Sequence, residues 1–460
     1  MKPITLVVES YNVAANKFVT SLSWENETGW LPMTKSLLIH FNENDCFNLV
    51  GIEEVTPDCQ NCFYVMLLPL ELSGFRSDIW SMLPKETIKK INDNNWNVMI
   101  FYPFESYSAQ SGSEVVKHFN SYVREFLITF STANLVHVSM NTYYQKERVD
   151  LSVFQTFNRI HFVPTVGFFS SDYYVVKSIV PFESNFYDQP RIPFPKTFLC
   201  LNNLSRSNRD ILLQALYSHS LWDHGIISKN CSSETSRHQQ WKTLLNVENG
   251  EHSDPYINAL SRQFIELHDV QYSDHETSIQ WEFLKKICID VMLINNVCPD
   301  IQSLDSLISH APTFNFKIES DWYLNSWCSI ITETYWDSEF IRVAQPCLTE
   351  KTFKPLALMH PFVIFGAGHS HALLQKFGFK TFEQTWFGLP PDGAIGNITL
   401  FERLYHLVAS LRRLTLLSQD ELHAKRKQIE PDLEFNKNHL LTTNWAEVQC
   451  NLINEVLNNS

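Results

Sequence analysis

Glycine is scarce in this chain, at 13 of 460 residues, against a usual ~7%. That scarcity excludes collagen-like and glycine-linker architectures, and it fits poorly with folds that cradle phosphate in a glycine-rich loop. Neither G-x-G-x-x-G nor G-x-x-x-x-G-K-[ST] occurs, so the usual warrants for a dinucleotide enzyme or a P-loop ATPase are missing. Positive charge is also in deficit: 36 Lys+Arg stand against 50 Asp+Glu, a net −14. A duplex binder held by phosphate neutralisation is disfavoured on that balance, although a net charge hides local patches. No apolar run approaches the ~20 residues needed to span a bilayer. The N-terminus (Met1 to Ser10) has one lysine and too short an apolar stretch for a secretory signal. No Asp-x-Asp occurs anywhere.

What is present is a chain rich in core-forming side chains, 44% hydrophobic and 13% aromatic with only 19% charged. Wholesale disorder is excluded, and at roughly 150 residues per domain the length points to two or three domains, two being the simplest reading. The expectation is an acidic, cytoplasmic protein. Ten cysteines are scattered, several inside apolar segments, and they read as reduced core thiols. Cys59-x-x-Cys62 stands alone, without the second Cys or His pair of a zinc site.

Short apolar runs alternate with helical patterns, the rhythm of α/β architecture. Ile4–Val8, Leu37–His40, Phe63–Leu68, Val98–Tyr102, Asn134–Ser139, Arg159–Val163 and Tyr173–Val180 read as strands, and Ser113–Phe130 as a helix. Prolines at 190, 193 and 195 mark a domain boundary. Beyond it, Thr197–Leu201, Trp327–Thr332 and Pro361–Phe365 read as strands. Helices are expected over Thr349–Met359 and from about Leu400 to Leu417, and the last 40 residues read as helical.

The segment richest in chemistry runs from Leu348 to Gly366. Thr349 is placed to cap a helix, putting Glu350 and Lys351 in its first turn. Free N–H groups and the positive dipole end suit a diphosphate there. Lys351 adds a full charge and Lys354 lies one turn on. Glu350 is an acceptor suited to a ribose diol, or simply a carboxylate complementing the dipole.

Thr349-Glu350-Lys351, an apolar helix, and Pro361-Phe362-Val363-Ile364-Phe365-Gly366 together resemble the donor-binding segment of GT-B glycosyltransferases. The pattern is similar to family-10 fucosyltransferases and to glycosyltransferase-like proteins of phages and marine viruses. Ile330 to Thr334, Lys376 to Phe382 and Phe198 to Arg209 resemble the same proteins. Met359-His360 departs from the family, where a small residue usually precedes the Pro-Phe strand.

The resemblance implies two Rossmann-like α/β domains in a GT-B arrangement with a cleft between them: an acceptor-side domain over 1–190, a nucleotide-sugar domain over 195–415, and helices over 418–460 crossing back. In it Glu350 holds the ribose hydroxyls and Lys351 the diphosphate. Arg206 and Arg209 serve the leaving group, and Glu333 lies at a strand end near the donor. No cofactor is implied beyond the nucleotide-sugar substrate. Without Asp-x-Asp, positive charge must come from side chains and a helix dipole rather than a metal. His369-x-His371, in the loop after Phe365, reads as a polar loop pair, a phosphate contact or a metal-binding pair.

An inverting transfer needs a base within reach of the acceptor hydroxyl. Glu105 and Glu9 follow strands of the first domain, where active groups of open α/β sheets gather; each also reads as a solvated loop carboxylate, and a retaining enzyme needs no such base. The aromatic set Trp322, Tyr323, Trp327, Tyr335 and Trp336 serves either packing or sugar stacking. The expected reaction is metal-independent glycosyl transfer to a saccharide hydroxyl. The viral flavour keeps open a phage enzyme that glycosylates hydroxymethylated DNA bases in a host cytoplasm, with DNA as a partner the net charge disfavours. A non-catalytic nucleotide- or glycan-binding protein of the same shape is the alternative from another class.

Overall fold

Buried strands joined by helical crossovers pair in parallel, and parallel sheets need cover on both faces. A computed structural model of the chain has this form. It describes residues 3–8, 11–12, 17–18, 31–43, 46–56, 59, 61–67, 77–102, 113–139, 159–166, 193–202, 209, 212–213, 215–216, 219–228, 320–333, 348–366, 370–383, 386 and 400–458. The fold is α/β, with two parallel, Rossmann-like sheets in two compact units: Met1–Val175 with Thr443–Ser460, and Val176–Thr442.

In the first unit the strands are β1 (Ile4–Val8), β4 (Phe47–Gly51), β5 (Cys62–Leu67), β6 (Asn97–Tyr102), β7 (Leu135–Ser139) and β8 (Ile160–Pro164). They lie side by side in the order β4-β1-β5-β6-β7-β8, every neighbouring pair parallel. A small antiparallel pair, β2 (Tyr11–Asn12) and β3 (Lys17–Phe18), follows β1. Helices α1 (Leu31–Asn42), α2 (Lys85–Asp93) and α3 (Ser113–Thr129) belong to the same unit. Trp80, Tyr122, Phe126 and Phe130 fill its core, with the Trp80 indole N–H donating to Tyr122 O at 2.9 Å.

Two expectations fail here. Leu37–His40 is the second half of α1 and not a strand. Leu37, Leu38 and Phe41 are all buried, an i, i+1, i+4 pattern that a four-residue apolar run does not separate from a strand. The cysteines are not all reduced either. Cys59 and Cys62 form a disulfide, their Cα atoms 6.4 Å apart, across a turn where Asn61 takes a φ of 57°. Cys46, Cys200, Cys328 and Cys450 are free thiols.

The second unit holds β9 (Lys196–Leu201), β10 (Gly225–Ser228), α4 (Ser320–Leu324), β11 (Ser326–Ile331), α5 (Glu350–Ala357), β12 (Phe362–Ile364), α6 (Ser370–Lys376), α7 (Leu400–Thr415) and α8 (Gln419–Thr442). Its strand order is β10-β9-β11-β12, again all parallel. β11 is buried along its whole length, as a central parallel strand must be.

The last helix, α9 (Trp445–Asn458), counts with the first unit. Its Ala446, Gln449, Cys450 and Ile453 are buried; Gln449 Oε1 accepts from Val166 N at 2.9 Å and the Cys450 thiol reaches Cys46 O at 3.4 Å. Among the described residues no helix is long and apolar enough to cross a membrane. The strand expected over Tyr173–Val180 lies outside the described residues.

Candidate functional site

In the second sheet β9 runs first, β10 adds on one side of it, and the chain then crosses to place β11 on the other. Where strand order reverses, the crossovers leave on opposite faces and open a crevice beyond the carboxyl ends. The carboxyl ends here are Asn202 after β9, Thr332 and Glu333 after β11, and Phe365 and Gly366 after β12.

Thr332 Oγ1 donates to Asn202 Oδ1 at 2.6 Å, tying the ends of β9 and β11 together. Arg209, in helical backbone beyond β9 and 3% exposed, donates from Nη2 to Thr332 O at 3.2 Å. A second buried guanidinium, Arg403 on α7, donates to Gly366 O at 2.8 Å beside the end of β12. The buried Cys200 thiol is pushed up to about 12 by desolvation, against the opposing pull of Asn202 and the Arg209 charge.

Glu333 is fully buried and serves the start of α5. Its Oε1 accepts from Thr349 N at 2.9 Å and from Thr352 Oγ1 at 2.7 Å, and its Oε2 from Thr349 Oγ1 at 2.7 Å. Thr349 is the N-cap of α5, its Oγ1 accepting from Lys351 N at 3.4 Å. Thr352 N and Phe353 N donate to Thr349 O. Most donors of the first turn are thus engaged within the protein. The Lys351 ammonium, on a half-buried side chain, donates to Thr349 Oγ1 at 3.0 Å and lies 3.9 Å from Glu333 Oε2. The carboxylate therefore holds both the helix start and the lysine. Lys354, one turn on, is half-buried.

The unusual Met359-His360 step is absorbed locally. Met359 takes a φ of 52°, and Arg426 on α8 donates to its carbonyl. His360 Nε2 donates to Ser326 O at 2.9 Å, which leaves Nδ1 to accept from Ser329 Oγ at 2.8 Å. Burial first, and the Arg426 charge second, lower its pKa to about 3, so the ring is neutral and pins the β12 approach to β11.

Asn202, Arg209, Thr332, Glu333, Thr349 and Lys351 thus converge on one sheet edge. Of Glu350 only the backbone, at the first position of α5, is described. Arg206, Glu9 and Glu105 lie outside the described residues, as do Tyr335, Trp336 and His369. His371 is buried and accepts from Ile364 N at 3.0 Å, a backbone support rather than a phosphate contact. Trp327 is buried with its indole N–H on Leu422 O, and buried Tyr323 meets His360 edge-on; both are packing residues.

Sequence reading missed Asn202, Thr332 and Arg403. The first two carried a signal, since each directly follows a strand. Arg403 carried none, because its contact spans 37 residues. Among the described residues no group of three or more His, Cys, Asp or Glu is placed to hold a metal ion. No known family model, no curated protein and no solved structure matches this chain.

Proposed function

We propose that the second unit binds a nucleoside-diphosphate sugar at the carboxyl edge of β9, β11 and β12, and that the chain transfers the sugar to a hydroxyl of a saccharide. The observation that carries this reading is the convergence of Arg209, Thr332, Glu333, Thr349 and Lys351 where strand order reverses. Crevices of this kind take nucleotides in open α/β sheets, and cations beside the edge suit a departing diphosphate. The motif resemblance supplies the sugar and the GT-B arrangement of the two units.

In the proposed reaction the acceptor hydroxyl loses its proton to a carboxylate, with Glu9 and Glu105 as the two candidates. The acceptor oxygen bonds to the anomeric carbon, and the bond from that carbon to the diphosphate oxygen breaks. Its electron pair leaves on the diphosphate, where Lys351, Arg209 and Arg206 offset the charge. Glu350 takes the ribose hydroxyls. Glu333 is a positioning residue: it fixes the N-cap and restrains the Lys351 ammonium beside it.

The test is a thermal-shift panel of nucleoside diphosphates and their sugars, with and without EDTA. Ligand at ~100 times its Kd adds about 2.7 kcal/mol, a shift of several degrees. The expected result is a base-selective shift that EDTA leaves in place, followed by glycosyl transfer to a saccharide. No shift with any nucleotide would end the donor-site reading. Binding without turnover would leave a nucleotide-binding protein, and transfer to hydroxymethylated DNA would replace the saccharide.

A further inference from the structure

The six described cysteines differ in chemistry, Cys46 being a half-buried free thiol. Cys200, Cys328 and Cys450 are buried free thiols. Burial raises all three, Cys200 to about 12 and Cys450 to about 11, so almost no thiolate forms there. Cys59 and Cys62 are different in bonding and in access. They are joined across two residues, with Cys62 buried in the core at the first position of β5, paired with Thr5 of β1. Cys59 is only half-buried, packed on the rim of the same core. Cys59 N donates back to Thr56 O, and Asn61, just before Cys62, is left-handed.

We propose that Cys59–Cys62 is a reversible dithiol–disulfide site, reduced by an external dithiol, at the entry of β5 into the first sheet. Cys59 is partly exposed and Cys62 is sheltered, the asymmetry that directs attack to one side. A thiolate of the external dithiol attacks Cys59 Sγ, the Cys59–Cys62 bond breaks, and Cys62 leaves as a thiolate that takes a proton from water. The second thiolate of the reagent then attacks its own sulfur in the mixed disulfide and expels Cys59. Two electrons pass to the protein, which ends as a dithiol, and the reagent ends as its disulfide. This site is independent of the donor-site reading, since it lies in the other unit.

The full chain, purified in air, is exposed to graded dithiothreitol under native conditions and quenched in acid. Free thiols are then labelled in denaturant with N-ethylmaleimide and read at Cys59 and Cys62 by peptide mass spectrometry. Neither cysteine is expected to label without reductant. Both gain label together over one range of dithiothreitol while the circular dichroism of the fold persists, and oxidised glutathione reverses the gain. Cys59→Ser is expected to leave Cys62 labelled from the outset. Label on both before any reductant, gain only on unfolding, or a protected Cys62 in the Cys59→Ser variant would each overturn the proposal.

Discussion

At the scale of single residues, the start of α5 separates binding from stability. Lys351 is half-buried, and its ammonium donates to Thr349 Oγ1 and lies 3.9 Å from Glu333 Oε2. Lys351→Ala is expected to weaken nucleoside-diphosphate binding by roughly 10- to 100-fold, the worth of a charge-assisted hydrogen bond at ~1.5–3 kcal/mol, with little change in unfolding; calorimetric titration beside denaturant unfolding checks both. Glu333 behaves in the opposite way. Its carboxylate accepts three hydrogen bonds in full burial, so Glu333→Ala orphans buried donors and costs about 3–5 kcal/mol. Glu333→Gln keeps the shape and part of the bonding, and its midpoint in urea falls less. His360 adds a pH dependence. The folded chain keeps it neutral down to about 3, whereas its ordinary value is 6.5, so between those values the unfolded chain binds more protons. Stability is complete above pH 6.5 and lost as pH falls toward 3, by up to ~1.4 kcal/mol per pH unit. Urea unfolding across that window is expected to show a flatter slope in a His360→Asn variant.

At the scale of elements, β10 depends on a position without a side chain. A Cβ at Gly225 would stand 2.3 Å from the Phe198 ring on β9, far inside contact distance. Gly225→Ala is therefore expected to cost about 1–3 kcal/mol by overpacking, seen as a lower melting temperature of the second unit. Most strands were legible in the sequence because an apolar run is its own signal: β5, β6, β7, β9 and β11 fall within a residue of their expected starts, whereas β4 and β10 were not expected. The start of α5 was legible too, since a capping threonine acts on amides two residues away. Helix α1 was not, because four apolar residues fit either period until burial chooses between them.

At the scale of the whole molecule, the chain leaves the first unit near 175 and returns at 443. Helix α9 then buries Trp445, Ala446, Gln449, Cys450 and Ile453 against that unit. Ending the chain after Thr442 is expected to lower the unfolding transition of the first unit and spare that of the second, read by calorimetry. If one transition moved as much as the other, the helix would not belong to the first unit alone.

The sequence by itself marked most of the buried strands, placed them among helical segments in an α/β fold, and showed that Thr349 begins a helix beside two charged residues. These follow from local periodicity and from hydrogen bonds that close within a turn. Tertiary structure decided what those charges do. Glu333 lies 16 residues from Thr349 in the chain, Arg209 lies 123 from Thr332, and Asn202 lies 130 from Thr332. No local pattern encodes such pairs. They form because the order β10-β9-β11-β12 brings three strand ends to one edge, where burial requires each carboxylate, guanidinium and hydroxyl to find a partner.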